Sequence, residues 1–222
     1  MVEDQDNLSF SIGGYSGDIQ RTLADLEASN VLARIWAKDH TVWKSTPTEI
    51  TNRLAWLNIS EEMLENVQSL ESYSLEIRKA GYRHIVLLGM GGSSLTPEVI
   101  RLTFQANDEY PELIVLDTTV PESIQRTKNM INPKTTLFIV SSKSGTTLET
   151  ISNYHYWRQV VENAMGKDRA GQNFIAITDK GSPLETLGKQ RGFSRIFLND
   201  VEVGGRYSPF SYFGILPAAL IG

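Results

Sequence analysis

The chain has 222 residues, of which 41% are hydrophobic and 21% are charged, and these proportions are typical of an ordinary globular protein. Its formal net charge of -5 argues against nucleic acid or another polyanion as the partner. Because it contains no cysteine, it can form neither a disulfide framework nor a thiolate zinc site. Any phosphate that this protein binds must therefore be held by local geometry, since the overall charge is repulsive.

The ends of the chain carry no pattern typical of export or membrane insertion. The opening MVEDQDNLSF is acidic and polar, whereas a secretory signal has a basic start and an apolar centre. The longest apolar stretch, from Tyr212 to Ile221, is too short to span a bilayer and contains Pro217. These features predict a cytoplasmic protein without a membrane partner.

The first 80 residues read as helical. A first helix is predicted from apolar residues that recur at roughly helical spacing, namely Ile19, Leu23, Leu26, Leu32 and Ile35. A second helix is predicted to begin at Thr46, because Pro47 suits the first helical position and Glu49 completes a capping box. A third is predicted after Ser60 and ends at Gly81, which suits a carboxyl-terminal cap.

Five short β-rich runs follow, and helical stretches lie between them. The runs are His84–Leu88, Leu113–Leu116, Leu137–Val140, Phe174–Thr178 and Arg195–Leu198. The helical stretches begin near Pro97, Pro121, Leu148 and Pro183. Strands that alternate with helices predict right-handed crossovers and a parallel sheet covered on both faces. We therefore predict an α/β fold, with a doubly wound five-stranded parallel sheet preceded by a helical segment.

Three regions are predicted along the chain. Residues 1–80 form an amino-terminal helical segment, residues 81–201 a phosphate-binding domain, and residues 202–222 the start of a connection to a further domain. The third region contains an apolar helix that reaches Gly222 without a stop signal. This pattern leads us to expect that the natural protein continues beyond this residue.

The first strand runs into a glycine-rich loop, GMGGSS, at residues 89–94. Glycines permit close approach to a ligand, and the amides at the start of the following helix favour an anion. The same loop also fits a tight turn without a ligand. A third interpretation is a dinucleotide site, because the loop half-matches G-x-G-x-x-G and Asp117 ends the second strand.

The third strand runs into a second loop, SSKSGTT, at residues 141–147, just before a long helix. Hydroxyl groups and the positive end of the helix favour a bound phosphate. The spacing does not match a Walker loop. A helix start rich in serine and threonine is the ordinary structural interpretation, but a helix needs one cap and not five hydroxyls and a lysine. The loop is therefore interpreted as a phosphate cradle.

The sequences GMGGSSLTP, VSSKSGTTLET and VGGRYSPFS occur in this order at spacings that resemble those of phosphoglucose isomerases. The resemblance covers residues from about 81 to 222. Loops like SSKSGTT also occur in related sugar-isomerase domains, including sugar-phosphate sensors, whereas the GGRYS segment narrows the resemblance to the isomerase. The helical start is similar to the isomerase half of bacterial transaldolase–isomerase fusions.

The resemblance implies an enzyme that interconverts glucose 6-phosphate and fructose 6-phosphate in glycolysis and gluconeogenesis, as a homodimer without an organic cofactor. It implies that Gly92 and Ser93 contact the substrate phosphate and that the second loop forms the main cradle. The implied residues of that cradle are Ser142, Lys143, Ser144, Gly145, Thr146 and Thr147. Gly205 and Arg206 are implied to lie beside the reacting carbons.

Arg206 is the candidate catalytic residue. Isomerisation builds negative charge on enediolate oxygens, and a fixed guanidinium stabilises that charge in the transition state. Chemistry alone leaves open a structural arginine paired with Glu202 or Asp200. The resemblance favours catalysis.

The base, the histidine and a lysine that the family uses have no matching motif in this chain, so we expect the 222 residues alone to be inactive. The three histidines, His40, His84 and His155, are interpreted as structural or solvated. Glu149 is interpreted as a first-turn acid favoured by the helix dipole. No side-chain spacing suggests a metal site. The alternative functions are a non-catalytic sugar-phosphate sensor and an NAD-dependent enzyme.

Overall fold

A computed structural model describes residues 11–104 and 107–222. The acidic opening segment, residues 1–10, lies outside the described residues. The chain divides into two compact units, Met1–Thr51 and Asn52–Gly222. In the part of the chain that the structure describes, no helix is both long and apolar enough to cross a membrane.

The described part of the first unit contains two α-helices, α1 (Ser16–Ala28) and α2 (Val31–Trp36), where the apolar spacing predicted one. The break lies at Asn30, which adopts a left-handed conformation with φ of 49°. Neither helix has a buried residue within this chain.

The helix predicted to begin at Thr46 is absent, and this prediction was wrong. Thr48–Ile50 form a turn in which Glu49 has φ of 60°, and no α-helix follows before residue 59. Residues 45–49 are exposed, so a helix that started at Thr46 would bury nothing in its first turn, and Ala55 and Leu57 further along the chain are buried from a short 3-10 turn instead. A first turn that buries nothing lacks the packing that provides most helical stability.

The second unit is a parallel sheet with helices on both faces. Its strands are β1 (His84–Gly89), β2 (Glu112–Leu116), β3 (Thr136–Ser141), β4 (Phe174–Asp179) and β5 (Arg195–Asn199), in the spatial order β2-β1-β3-β4-β5. All pairings are parallel, which confirms the predicted fold class and all five strand positions. The helices are α3 (Ile59–Leu64), α4 (Val67–Lys79), α5 (Leu95–Phe104), α6 (Pro121–Met130), α7 (Leu148–Met165), α8 (Pro183–Gln190) and α9 (Tyr212–Leu220).

Alternate residues of each strand face opposite sides of the sheet, and each side has its own core. Ile85, Leu87 and Ile139 pack with α3, α4 and α9 on one side. On the other side, Val86 and Phe138 pack with α7 and α8. The central strands are buried on both faces, which explains their near-continuous apolar sequences. This double burial fixes the position of the loops that leave the carboxyl ends of the strands.

Candidate functional site

Three loops gather at the carboxyl edge of the sheet, where ligands of open α/β folds bind. Gly89 and Ser141 are register partners in β1 and β3, so the two loops that follow these residues start side by side. The Ser141 hydroxyl donates to the Ser93 carbonyl at 3.1 Å and ties the first loop to the second. The third loop follows β5 and contains the GGRYS sequence at residues 204–208.

The three loops surround an open cavity of about 390 Å³. Six of the residues predicted to bind substrate line it, namely Gly92, Ser93, Lys143, Ser144, Thr147 and Gly205. The first and last of these residues lie more than 100 positions apart in the chain. The fold therefore brings together residues that the sequence presents only as separate motifs.

Four hydroxyls of the second loop bond to one another in two pairs instead of capping the helix behind them. Ser142 Oγ lies 3.0 Å from Thr147 Oγ1 and accepts from the Gly145 amide at 3.1 Å. Ser144 Oγ accepts from the Thr146 amide at 3.2 Å and lies 2.9 Å from its hydroxyl. The N-cap residue, Thr147, makes no side-chain hydrogen bond to the start of α7. The first-turn amides of this helix are therefore left to another acceptor, as in an anion site.

Ser142, Gly145 and Thr146 shape this loop without lining the cavity. Gly145 has φ of 70°, and a Cβ at this position would lie 2.6 Å from the backbone nitrogen of Leu184. Only glycine combines this conformation with such a close approach. The cradle thus rests directly on the start of α8.

The third loop lies against the first. A Cβ on Gly92 would lie 2.5 Å from the Gly205 carbonyl oxygen, so the two backbones are in contact. The Ser208 hydroxyl lies 3.2 Å from the Gly92 carbonyl and 2.8 Å from that of Gly205. These contacts hold both glycines at the rim of one cavity.

Replacing Gly92 by alanine is therefore expected to push the third loop away and to lower the free energy of unfolding by about 1–3 kcal/mol, the usual cost of overpacking. Urea denaturation of the 222-residue chain measures this loss. Gly14→Ala is the control, because nothing lies within 4 Å of a Cβ at Gly14 and its φ is not positive. Equal stability of the two variants would contradict the close approach.

Lys143 lines the cavity, but its ammonium is already engaged. Nζ forms an ion pair with Asp179 Oδ2 and donates to the Val201 carbonyl at 2.6 Å. Burial raises the pKa of the Asp179 carboxyl, and the hydrogen bond from Lys143 opposes this shift. The lysine predicted as a phosphate ligand thus connects the second loop with the end of β4 and with the loop that follows β5.

Arg206 lies in the short turn Gly205–Tyr207, is exposed, and is absent from the cavity lining. Among the described residues it has no hydrogen bond or ion pair with Asp200 or Glu202. Asp200 Oδ1 instead accepts from the Glu202 amide at 2.8 Å. The structural pairing that the sequence left open is therefore not present.

Four further residues line the cavity that the motifs did not assign to it, namely Met90, Asp179, Ser208 and Phe213. Asp179 is the last residue of β4, and its position at a strand carboxyl end could have marked it. Asp117, the acid of the dinucleotide interpretation, follows the edge strand β2 and does not line this cavity. Glu149 and His155 lie on α7 outside the lining. Within residues 11–104 and 107–222, no group of acids and histidines could hold a metal ion.

The five-stranded parallel sheet with its covering helices is an α/β fold that matches a sugar-isomerase domain. A family model described as phosphoglucose isomerase matches residues 21–222. The chain belongs to the phosphoglucose isomerase family.

Individual relatives agree with this assignment. A glucose-6-phosphate isomerase from Campylobacter jejuni is 32% identical over 168 residues, which cover 75% of this chain and 38% of the relative. A crystal structure of a glucose-6-phosphate isomerase from Chlamydia trachomatis superposes with a TM-score of 0.64 at 25% identity, over 86% of this chain and 34% of that protein. A crystal structure of a hypothetical protein from Thermus thermophilus superposes with a TM-score of 0.77 at 29% identity, over 94% of this chain and 46% of that protein. The chain thus spans about two fifths or less of the length of the curated relatives.

Proposed function

We propose that this chain is the phosphate-binding part of an aldose–ketose isomerase that interconverts glucose 6-phosphate and fructose 6-phosphate. The observation that carries the proposal is the cavity lined together by Gly92, Ser144, Thr147 and Gly205, one or two residues from each of the three motifs. Membership of the phosphoglucose isomerase family supports the proposed interconversion of the two sugar phosphates. The position of the cavity at the carboxyl edge of the sheet supports its assignment as the phosphate-binding site. A cytoplasmic location and a homodimer are part of the proposal.

In this proposal the phosphate binds at the start of α7. The helix spans 18 residues and its N-cap residue, Thr147, makes no side-chain cap, so the first-turn amides and the helix dipole both favour an anion there. Ser144 and Thr147 add hydroxyl donors from the cavity lining. The net charge of -5 does not attract a phosphate, so the binding energy must come from directed hydrogen bonds. Amides and hydroxyls are neutral donors that supply such bonds.

The sugar then extends from the phosphate toward Gly205, and Arg206 acts on the reacting carbons. Moving a proton between adjacent carbons places negative charge on the enediolate oxygens. A guanidinium that is paired with neither Asp200 nor Glu202 in the described part of the chain is available to this charge as it develops. The exposed position of Arg206 requires that the bound substrate, or another part of the isomerase, covers it during the reaction.

The base and the histidine of the reaction are not assigned to this chain, since none of its residues matches their motifs. We accordingly propose that residues 1–222 bind the sugar phosphate but do not isomerise it by themselves. The sensor alternative is disfavoured by the isomerase match across residues 21–222, which includes the GGRYS loop. A nicotinamide cofactor is disfavoured because Asp117 lies outside the cavity lining.

Calorimetric titration of the 222-residue chain tests the binding site. We expect fructose 6-phosphate to bind, and fructose and NADH to bind at least about tenfold more weakly. Ser144→Ala and Thr147→Val should each weaken fructose 6-phosphate binding about tenfold, because a hydrogen bond to a charged group contributes about 1.5–3 kcal/mol. In the complete isomerase, each change should raise KM more than it lowers kcat, since phosphate is held equally in both states.

Ser72→Ala is the matched control for these titrations. Its hydroxyl is exposed on α4 and donates to the Gln68 carbonyl at 2.8 Å, outside the cavity. This change should leave the affinity unaltered. Tighter binding of NADH than of fructose 6-phosphate, or equal affinity for fructose with and without phosphate, would refute the proposal.

A further inference from the structure

The ammonium of Lys143 lies where three strands end. Lys143 follows β3, Asp179 is the last residue of β4, and Val201 lies two residues beyond β5. Nζ pairs with the Asp179 carboxylate and donates to the Val201 carbonyl at 2.6 Å. One side chain thus links the second loop, the end of β4 and the segment that leads to Gly205 and Arg206.

The stem of Lys143 is fixed as well. A Cβ on Gly204 would lie 2.7 Å from Lys143 Cδ and 2.8 Å from Cε, so the methylene groups lie directly against the Gly204 backbone. The Lys143 carbonyl accepts from the Asp179 amide at 3.3 Å and from the Thr178 hydroxyl at 3.4 Å. Both ends of the residue are therefore held by neighbouring elements.

The charge balance also argues against Lys143 as the main phosphate ligand. The Asp179 side chain is only 14% exposed, and a carboxylate so placed needs its partner, since an unpaired buried charge is costly. Two of the three ammonium donors are directed at Asp179 and Val201. Moving the ammonium to a phosphate would leave the Asp179 carboxylate unpaired.

We propose that Asp179 and Lys143 form a positioning pair that holds residues 201–206 against the cavity, and that Lys143 acts mainly through this segment. The inference rests on the proposed function for the identity of the ligand. It assigns a role to Asp179, and it changes the role of Lys143 from phosphate ligand to support for the segment that contains Gly205 and Arg206.

Hydrogen exchange of the unliganded 222-residue chain tests the pair without any ligand. Asp179→Asn and Lys143→Met keep the side-chain shapes but remove the ion pair. Each should speed exchange in residues 200–207 roughly tenfold, because each removes a hydrogen bond to a charged group that holds this segment closed. The double variant should exchange no faster than Lys143→Met alone, since that change already removes the contact that Asp179→Asn breaks. Exchange in β1 should not change.

Two further variants keep this test decisive. Lys180→Met removes a neighbouring exposed lysine and should have no effect on residues 200–207. Gly204→Ala leaves every charge in place but forces the Lys143 stem aside, and should also speed exchange there. If Asp179→Asn, Lys143→Met and the double variant all left hydrogen exchange in residues 200–207 unchanged, the proposal would be overturned.

Titration with two probes separates positioning from direct phosphate binding. In the proposed function inorganic phosphate occupies only the phosphate site between the first two loops, whereas the sugar of fructose 6-phosphate also extends toward Gly205. Lys143→Met should therefore weaken fructose 6-phosphate binding several-fold more than inorganic phosphate binding. An equal loss of more than about tenfold for both probes, with exchange unchanged, would identify Lys143 as a direct phosphate ligand and refute the pair's role. If the parent chain binds neither probe, the proposed function fails, while the exchange result still decides the positioning role.

Discussion

Arg206→Ala is expected to lower kcat of the isomerase roughly 10²–10³-fold, or about 3–4 kcal/mol, without lowering the stability of this chain. The kinetic loss is that of one preorganised donor to a developing oxyanion. The unchanged stability follows from the exposed position of Arg206 and from the lack of an ion pair with Asp200 or Glu202 among the described residues. Replacement of an arginine with a purely structural role would instead lower the stability of the chain and leave kcat nearly unchanged.

Steady-state kinetics of the isomerase and thermal melts of the 222-residue chain measure the two effects. Arg206→Lys should also be poor, because a flexible ammonium does not reproduce a planar fork of donors. Arg126→Ala, an exposed arginine on α6 outside the cavity, is the control and should leave kcat unchanged. If Arg206→Ala kept kcat within a few-fold of the parent, we would withdraw the catalytic role.

Trp157→Ala is expected to lower the free energy of unfolding of the second unit by about 3–5 kcal/mol, the range for removing a large buried aromatic side chain. Trp157 is fully buried on α7, and its ring lies 5.3 Å from that of Phe138 in β3. The helix that presents its uncapped start to the cavity is thus held to the sheet by this contact. The melting temperature should fall by roughly 10 °C.

Two variants separate the lost volume from other effects in these melts. Trp157→Phe should cost less, about 1–2 kcal/mol, because Nε1 has no partner among the described residues and no hydrogen bond is lost. Leu148→Ala on the same helix removes a side chain that is 75% exposed and should change stability by less than about 0.5 kcal/mol. Similar melting of Trp157→Ala and Leu148→Ala would contradict the packing described for α7.

The predicted fold class was confirmed because each strand is specified by its own residues. The runs Ile85–Leu88 and Leu137–Val140 are apolar at every position, as strands buried on both faces must be, and every residue in them is fully buried. Pro121 and Pro183 begin helices at the predicted residues. Their fixed φ and missing amide suit the first helical position in any context.

Local signals failed where no packing supported them. The pattern at Thr46 to Glu49 matches a capping box, yet Glu49 adopts a left-handed backbone in an exposed turn and no α-helix begins before residue 59. The apolar spacing after Asp18 continues through Asn30, whose left-handed backbone divides the predicted helix in two. The spacing of apolar residues indicates which residues suit a helix, but it does not indicate where the chain turns.

By itself the sequence determined the three motifs, their places after strands, and the residue types that suit a phosphate. Those properties depend on residues close together in the chain. Only the tertiary structure decided that Lys143 pairs with Asp179, which is 36 residues away, and contacts Val201 and Gly204 beyond it. The sequence offers several acids and backbone carbonyls to this ammonium, and the parallel order of β3, β4 and β5 selects among them. A side chain's partner is set by which strand ends become neighbours, and that depends on the packing of the whole sheet.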